Sequence, residues 1–147
     1  MNLLVLCVGN ICRSPYAEML LKKQLPGVSV SSAGLQALSG HPADPPVQAL
    51  ASEQGLDLTA HRARQVLAEH LANAHVVLVM SQGQRNELHE RHPFVRGRVF
   101  LLDAQGQDIP DPYQHPDAVH RAVQVQIQEG VQYWVPRLKR LQGDFHS

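Results

Sequence analysis

The sequence predicts an α/β protein, a single-domain, doubly wound, four-stranded parallel sheet with helices on both faces. Three observations carry this. Short apolar runs alternate with helix-length amphipathic segments from end to end. The first run, residues 1–8, is almost continuously apolar, as a strand buried on both faces requires. The 147 residues, 44% of them hydrophobic, suffice for one core without staples. No linker or repeat divides them, so one domain over residues 1–147 is expected.

Each element has its own signal. Gly9 and Asn10 end the first strand, since both tolerate positive φ. Ser14-Pro15 starts a helix whose stripe is Ala17, Met19, Leu20, Leu21 and Leu25, and Pro26-Gly27 stops it. Residues 28–32 alternate apolar and polar and predict the second strand. Asp44-Pro45 opens a helix that turns Val47, Leu50 and Ala51 inward, with Gly55 just past its end. A helical pattern over about 66–73 leads into a third strand, residues 75–80. Ser81 is placed to cap the next helix, Pro93 ends it, and residues 98–102 predict the fourth strand.

Turn chemistry then fills residues 103–114. The last helix carries Val119, Val123, Ile127 and Val131 at i, i+4 spacing, with Trp134, Leu138 and Leu141 beside them. Pro136 is expected to kink or restart it. In such a sheet, ligands bind outside the carboxyl ends of the strands. Residues 7–15 and the loops around Gly34 and Asp111 should therefore meet there.

Composition excludes several functions. Lys plus Arg and Asp plus Glu each total 13, so the formal net charge is zero with His neutral. That balance leaves no footprint for nucleic acid or an anionic membrane surface. The apolar runs are too short to cross a bilayer, and the N-terminus lacks the basic flank and apolar length of a signal peptide. A soluble, cytoplasmic protein is expected, with no nucleic-acid partner, no membrane insertion and no readable oligomeric state. Two cysteines, Cys7 and Cys12, make neither a disulfide framework nor a Cys-rich zinc site. His89 and His92 lie one helical turn apart without a third ligand, so they read as a solvated face and no metal site is expected. Arg62, Arg64, Arg85, Arg91, Arg96 and Arg98 read as surface charges, and Trp134 as a core anchor.

The informative stretch is Cys7-Val8-Gly9-Asn10-Ile11-Cys12-Arg13-Ser14-Pro15, between a strand and a helix. A helix N-terminus has unpaired N–H groups and a partial positive charge, and a Gly/Asn loop feeding it curls its amides around one anion. The nucleotide-binding Gly-x-x-x-x-Gly-Lys-Ser/Thr pattern is absent. Arg13 stands where a lysine would, with a planar fork for two phosphate oxygens. Such surroundings lower a thiol from ~8.5 to about 3.5–7.5, which would make Cys7 a nucleophile at neutral pH. Ser14 adds a hydroxyl for that sulfur, and the N–H groups of Val8 to Ser14 would hold the equatorial oxygens of a phosphoryl group.

This loop at the N-terminus, with Asp111-Pro112-Tyr113 near the other end, resembles the low-molecular-weight protein tyrosine phosphatases. Ser32-Ala33-Gly34 and His61-Arg62-Ala63-Arg64-Gln65 match two further segments in order, and the likeness runs from about Leu3 to Leu141. It implies that family's fold and a phosphocysteine mechanism. Cys7 would be the nucleophile and Asp111 the acid that protonates the leaving phenolate and then activates water. Asn10 would hold the loop, helped by Ser32 and His61, while Tyr113 and Leu38 would wall the ring. No cofactor or metal is implied, because Arg13 and the amides supply the charge stabilisation. The resemblance also implies a reversible Cys7–Cys12 disulfide under peroxide.

Leu38 and Gln114 stand where eukaryotic members carry an aromatic wall and a second tyrosine, and Ser81 replaces an acidic residue. The overall likeness is to the bacterial branch. It implies a phosphotyrosine-bearing protein substrate, with a tyrosine autokinase of polysaccharide production as the expected partner. Duller readings compete: Cys7 as a strand-end core residue, Asp111-Pro112 as a plain turn. Three rival functions are weaker. A thiol arsenate reductase needs cysteines beyond Cys12, a phosphate-binding module needs no Cys7 or Asp111, and a phosphocarrier needs no Asp111.

Overall fold

A computed structural model describes residues 1–146, with side chains through Asp144. Its order is β1 (Asn2–Cys7), α1 (Arg13–Gln24), β2 (Ser29–Gly34), α2 (Pro45–Glu53), α3 (Ala68–Asn73), β3 (Val76–Val79), α4 (Gln82–Arg91), β4 (Val99–Leu101) and α5 (Asp117–His146). The four strands form one parallel sheet in the order β2-β1-β3-β4. The predicted four-stranded, doubly wound architecture is what the chain forms.

Strand periodicity divides the core. Leu3, Val5 and Cys7 point to one face, with buried residues of α1, α2 and α5 such as Leu21, Val47 and Ile127. Leu4 and Leu6 point to the other, with Leu71 of α3 and Leu88 of α4. A strand buried on both faces has no polar position to spare, hence its unbroken apolar run.

The strand order reverses between β1 and β3: the chain leaves β1 toward β2, and leaves β3 toward β4. A crevice opens at such a switch point, outside the strand ends, and Cys7 is the last residue of β1.

Local signals held at several ends. Ser81 Oγ accepts the N–H of Gln84 and caps α4. Gly55 follows the α2 cap with φ of 78°. Of the kink or restart expected at Pro136, α5 shows no restart: the helix runs through it. Proline inside a helix costs about 3 kcal/mol, but Gln132, whose carbonyl loses its partner, is exposed to water. Val131, Val135 and Leu138 are buried along the same helix, at roughly 1.5–3 kcal/mol each, which outweighs that cost. Leu141 is exposed, not core.

Candidate active site

Five residues, 8–12, turn the chain from the end of β1 into the start of α1. Asn10 takes φ of 59°, a left-handed conformation that asparagine tolerates better than most residues. Cys12 at the helix N-cap makes no side-chain cap, so the first turn keeps its donors for something else. The end of β2 is laced to this loop: Leu35, Gln36 and Leu38 donate their N–H groups to the carbonyls of Cys7, Val8 and Gly9 at 3.0, 2.9 and 3.1 Å. Gly34 makes the approach possible, since a Cβ there would lie 2.6 Å from the Val8 carbonyl oxygen.

Behind the loop lies a directional chain of hydrogen bonds. The main-chain N–H of Arg64, which can only donate, meets Asn10 Oδ1 at 3.0 Å and fixes the amide's orientation. Asn10 Nδ2 then gives its hydrogens to Ser14 Oγ at 2.8 Å and Ser32 Oγ at 3.0 Å. Ser32 passes its own proton to Glu18 Oε1 at 2.5 Å. Because Ser14 accepts from Asn10, its hydroxyl proton is free for Cys7 Sγ, 2.9 Å away. Asn10 N–H donates to the same sulfur at 3.3 Å. The sulfur thus receives two hydrogen-bond donors. His61 Nε2 lies 2.6 Å from the Asn10 carbonyl, which can only accept, so that nitrogen carries the proton.

Cys12 sits in the opposite environment. It is buried, and its thiol donates to Asp44 Oδ2 at 3.7 Å. Burial first, and then the Asp44 carboxylate, push this thiol far above the ordinary range. Both cysteines are free.

Arg13 is 4% exposed despite its charge. Its Nη1 donates to the Ile109 carbonyl at 2.8 Å, Nη2 lies 3.6 Å from Asp111 Oδ2, and its buried Nε has no partner. A buried cation with a spare donor suits an anion. Ile109 N–H bonds the Met80 carbonyl, fixing the loop that carries Asp111 to the end of β3. Asp111 Oδ1 accepts the Tyr113 N–H at 3.1 Å, so the turn reading and the acid reading of this aspartate are compatible.

These groups enclose a cavity of about 140 Å³. Cys7, Cys12 and Arg13 form its floor. Val8, Gly9 and Ile11 flank it, Leu38 and Tyr113 wall it, and Asp111 and Gln36 reach its edge. Asn10, Ser14, Ser32 and His61 stand behind the loop and do not line it. Gln114 has φ of 63° and is exposed outside the cavity wall.

The family profile described as "Low molecular weight phosphotyrosine protein phosphatase" matches residues 2–144. The chain belongs to the low molecular weight phosphotyrosine protein phosphatases.

This phosphatase is 46% identical over 141 residues to the probable low molecular weight protein-tyrosine-phosphatase EpsP of Ralstonia nicotianae, covering 95% of this chain and 97% of that one. Among solved structures it is similar to the tyrosine phosphatase Wzb from Escherichia coli K30 in complex with sulphate. The TM-score is 0.90 at 32% identity, over 93% of this chain and 97% of that one. It is equally similar to the YwlE arginine phosphatase from Geobacillus stearothermophilus, with a TM-score of 0.91 at 34% identity, over 99% of this chain and 97% of that one.

The structure brings the catalytic and supporting residues that the sequence singled out together around one loop, adds Arg64, Glu18 and Gln36, and gives Gly34 a role. Arg64, expected to be a surface charge, gives its main-chain N–H to Asn10 and its Nε to the Ser32 carbonyl at 2.9 Å. Only the fold reveals that use, because a main-chain donor has no residue type to read. Glu18 lies four residues after Ser14 on α1, a spacing that could have pointed to it. Gln36 and Gly34 act through proximity alone. Two other arginines also do more than carry surface charge: Arg85 bonds the Val99 carbonyl and Arg98 that of Ala74. His89 is half-buried rather than solvated, with Nε2 unpartnered, and burial holds its pKa below the usual histidine range. Among the described residues, no three metal-ligating side chains come together, and no helix is long and apolar enough to cross a membrane.

Proposed function

We propose that the enzyme hydrolyses phosphotyrosine in proteins through a phosphocysteine formed on Cys7. The observation that carries this is the sulfur itself, given two donors from behind and set at the floor of an anion-sized cavity across from Asp111. Cys7 Sγ attacks phosphorus, the S–P bond forms as the P–O(aryl) bond breaks, and Asp111 gives its proton to the departing phenolate. The phenol leaves, and Asp111 then takes a proton from water as that water attacks phosphorus. The S–P bond breaks, releasing phosphate and restoring the thiolate. Arg13 and the loop N–H groups hold the three equatorial oxygens in both steps.

The relatives divide between tyrosine and arginine phosphatases by their descriptions. The walls here favour tyrosine. Ile11, Leu38 and Tyr113 offer apolar surface to a flat ring, and among the described lining residues Asp111 is the one carboxylate for a guanidinium to meet. Turnover of a phosphotyrosine peptide and the matching phosphoarginine peptide, with chelator present, tests this. At least tenfold preference for phosphotyrosine is expected, and preference for phosphoarginine would overturn it.

The whole chain, residues 1–147, is proposed to act as one phosphatase domain in the cytoplasm, on a tyrosine autokinase of polysaccharide production. That partner rests on the likeness to the bacterial branch. Cys12, on the same cavity floor, is proposed as the resolving thiol. Peroxide oxidises Cys7 to its sulfenic acid, and Cys12 displaces water to close a reversible disulfide.

A further inference from the structure

We propose that the side-chain amide of Gln36 binds the substrate's main chain beside its phosphotyrosine, so that the enzyme prefers peptide substrates to free aryl phosphates. This deepens the phosphatase reading and rests on it. Residues 35–38 form a rigid rail along the nucleophile loop. Leu35, Gln36 and Leu38 are pinned through their N–H groups to the loop's carbonyls. The Gln65 side chain clamps the rail from outside, accepting the Ala37 N–H at 2.9 Å and donating to the Leu35 carbonyl at 2.8 Å.

Gln36 is the rail's single polar side chain. It is exposed, reaches the cavity, and makes no side-chain hydrogen bond among the described residues. The carboxylate at the rim, Asp111, is already engaged by Arg13 and by the Tyr113 N–H. A tyrosine ring held between Leu38 and Tyr113 leaves its main chain at the mouth. A primary amide both donates and accepts there, matching the N–H and C=O of a peptide. The backbone beneath it is already fixed, so only the side chain's own rotamers are ordered on binding.

The test compares N-acetyl-phosphotyrosine amide with 4-methylphenyl phosphate, which share a ring and a leaving group and differ in the main chain. The readout is the ratio of their kcat/KM values in wild type and in Gln36→Met, which keeps the side chain's length and loses its polarity. One neutral hydrogen bond predicts that the ratio falls about fivefold in the variant. An unchanged ratio, whether both rates fall or neither does, overturns the role of Gln36. Wild type that turns over neither substrate would instead overturn the phosphatase reading beneath it. An unaltered melting temperature confirms that the variant folds.

Discussion

Cys7 and Cys12 belong to one loop and are both buried, yet their sulfurs meet opposite chemistry. Cys7 receives the Asn10 N–H and the Ser14 hydroxyl. Cys12 gives its own proton toward Asp44 and is held as a thiol. Burial alone would penalise either anion. The difference comes from the sense of the hydrogen bonds, which the main-chain N–H of Arg64 at one end and the Glu18 carboxylate at the other fix. Directed donors meet the sulfur at the cavity, and the neighbouring thiol without them is held protonated.

Substitutions can break this contrast at graded cost. Removing the nucleophile, Cys7→Ser, should lower kcat for an aryl phosphate by at least about 10⁴-fold, read by steady-state hydrolysis. Asp111→Asn should cost about 10²–10³ in kcat/KM, which reports the transfer to Cys7, for a substrate with a poor leaving group. The loss should shrink for p-nitrophenyl phosphate, whose leaving group needs little protonation. Ser14→Ala removes one donor from the sulfur, and alkylation of Cys7 by iodoacetate at pH 6 should slow about tenfold.

The smallest effect sharpens the comparison from the other side. Because burial and Asp44 raise the Cys12 thiol, it stays protonated through neutral pH. Iodoacetate at pH 7 should therefore label Cys7 and spare Cys12, as peptide mapping would report. Cys12→Ser should change initial rates by less than about twofold, since a neutral thiol carries no charge in the reaction. Labelling of Cys12 ahead of Cys7 would reverse the whole assignment.

The order of elements was legible because two periodicities alternate cleanly and because the end of α2 and the start of α4 carry ordinary cap chemistry. At Pro136 the local rule left restart open because it ignores which carbonyl is freed and which side chains the same helix buries. At the site, the loop from Cys7 to Pro15 could be read from its residue types, and Asp111, Tyr113, Leu38, Ser32 and His61 from the family likeness. What could not be read works through the main chain or through closeness. The Arg64 N–H, the missing Cβ of Gly34 and the rail beneath Gln36 exist only once β2 lies against the loop. Glu18 falls between these cases, one turn along α1 but meaningful only with Ser32 beside it.

The central claim is that phosphorus passes through the sulfur of Cys7. Rapid mixing of Asp111→Asn with excess p-nitrophenyl phosphate, followed by acid quench and mass spectrometry of the N-terminal peptide, tests it most directly. The account predicts a burst of one nitrophenolate per enzyme, with phosphate on Cys7, because losing Asp111 slows the attack of water more than the departure of this phenolate. Turnover by folded enzyme with phosphate on another residue, or with no covalent phosphate at all, would contradict it.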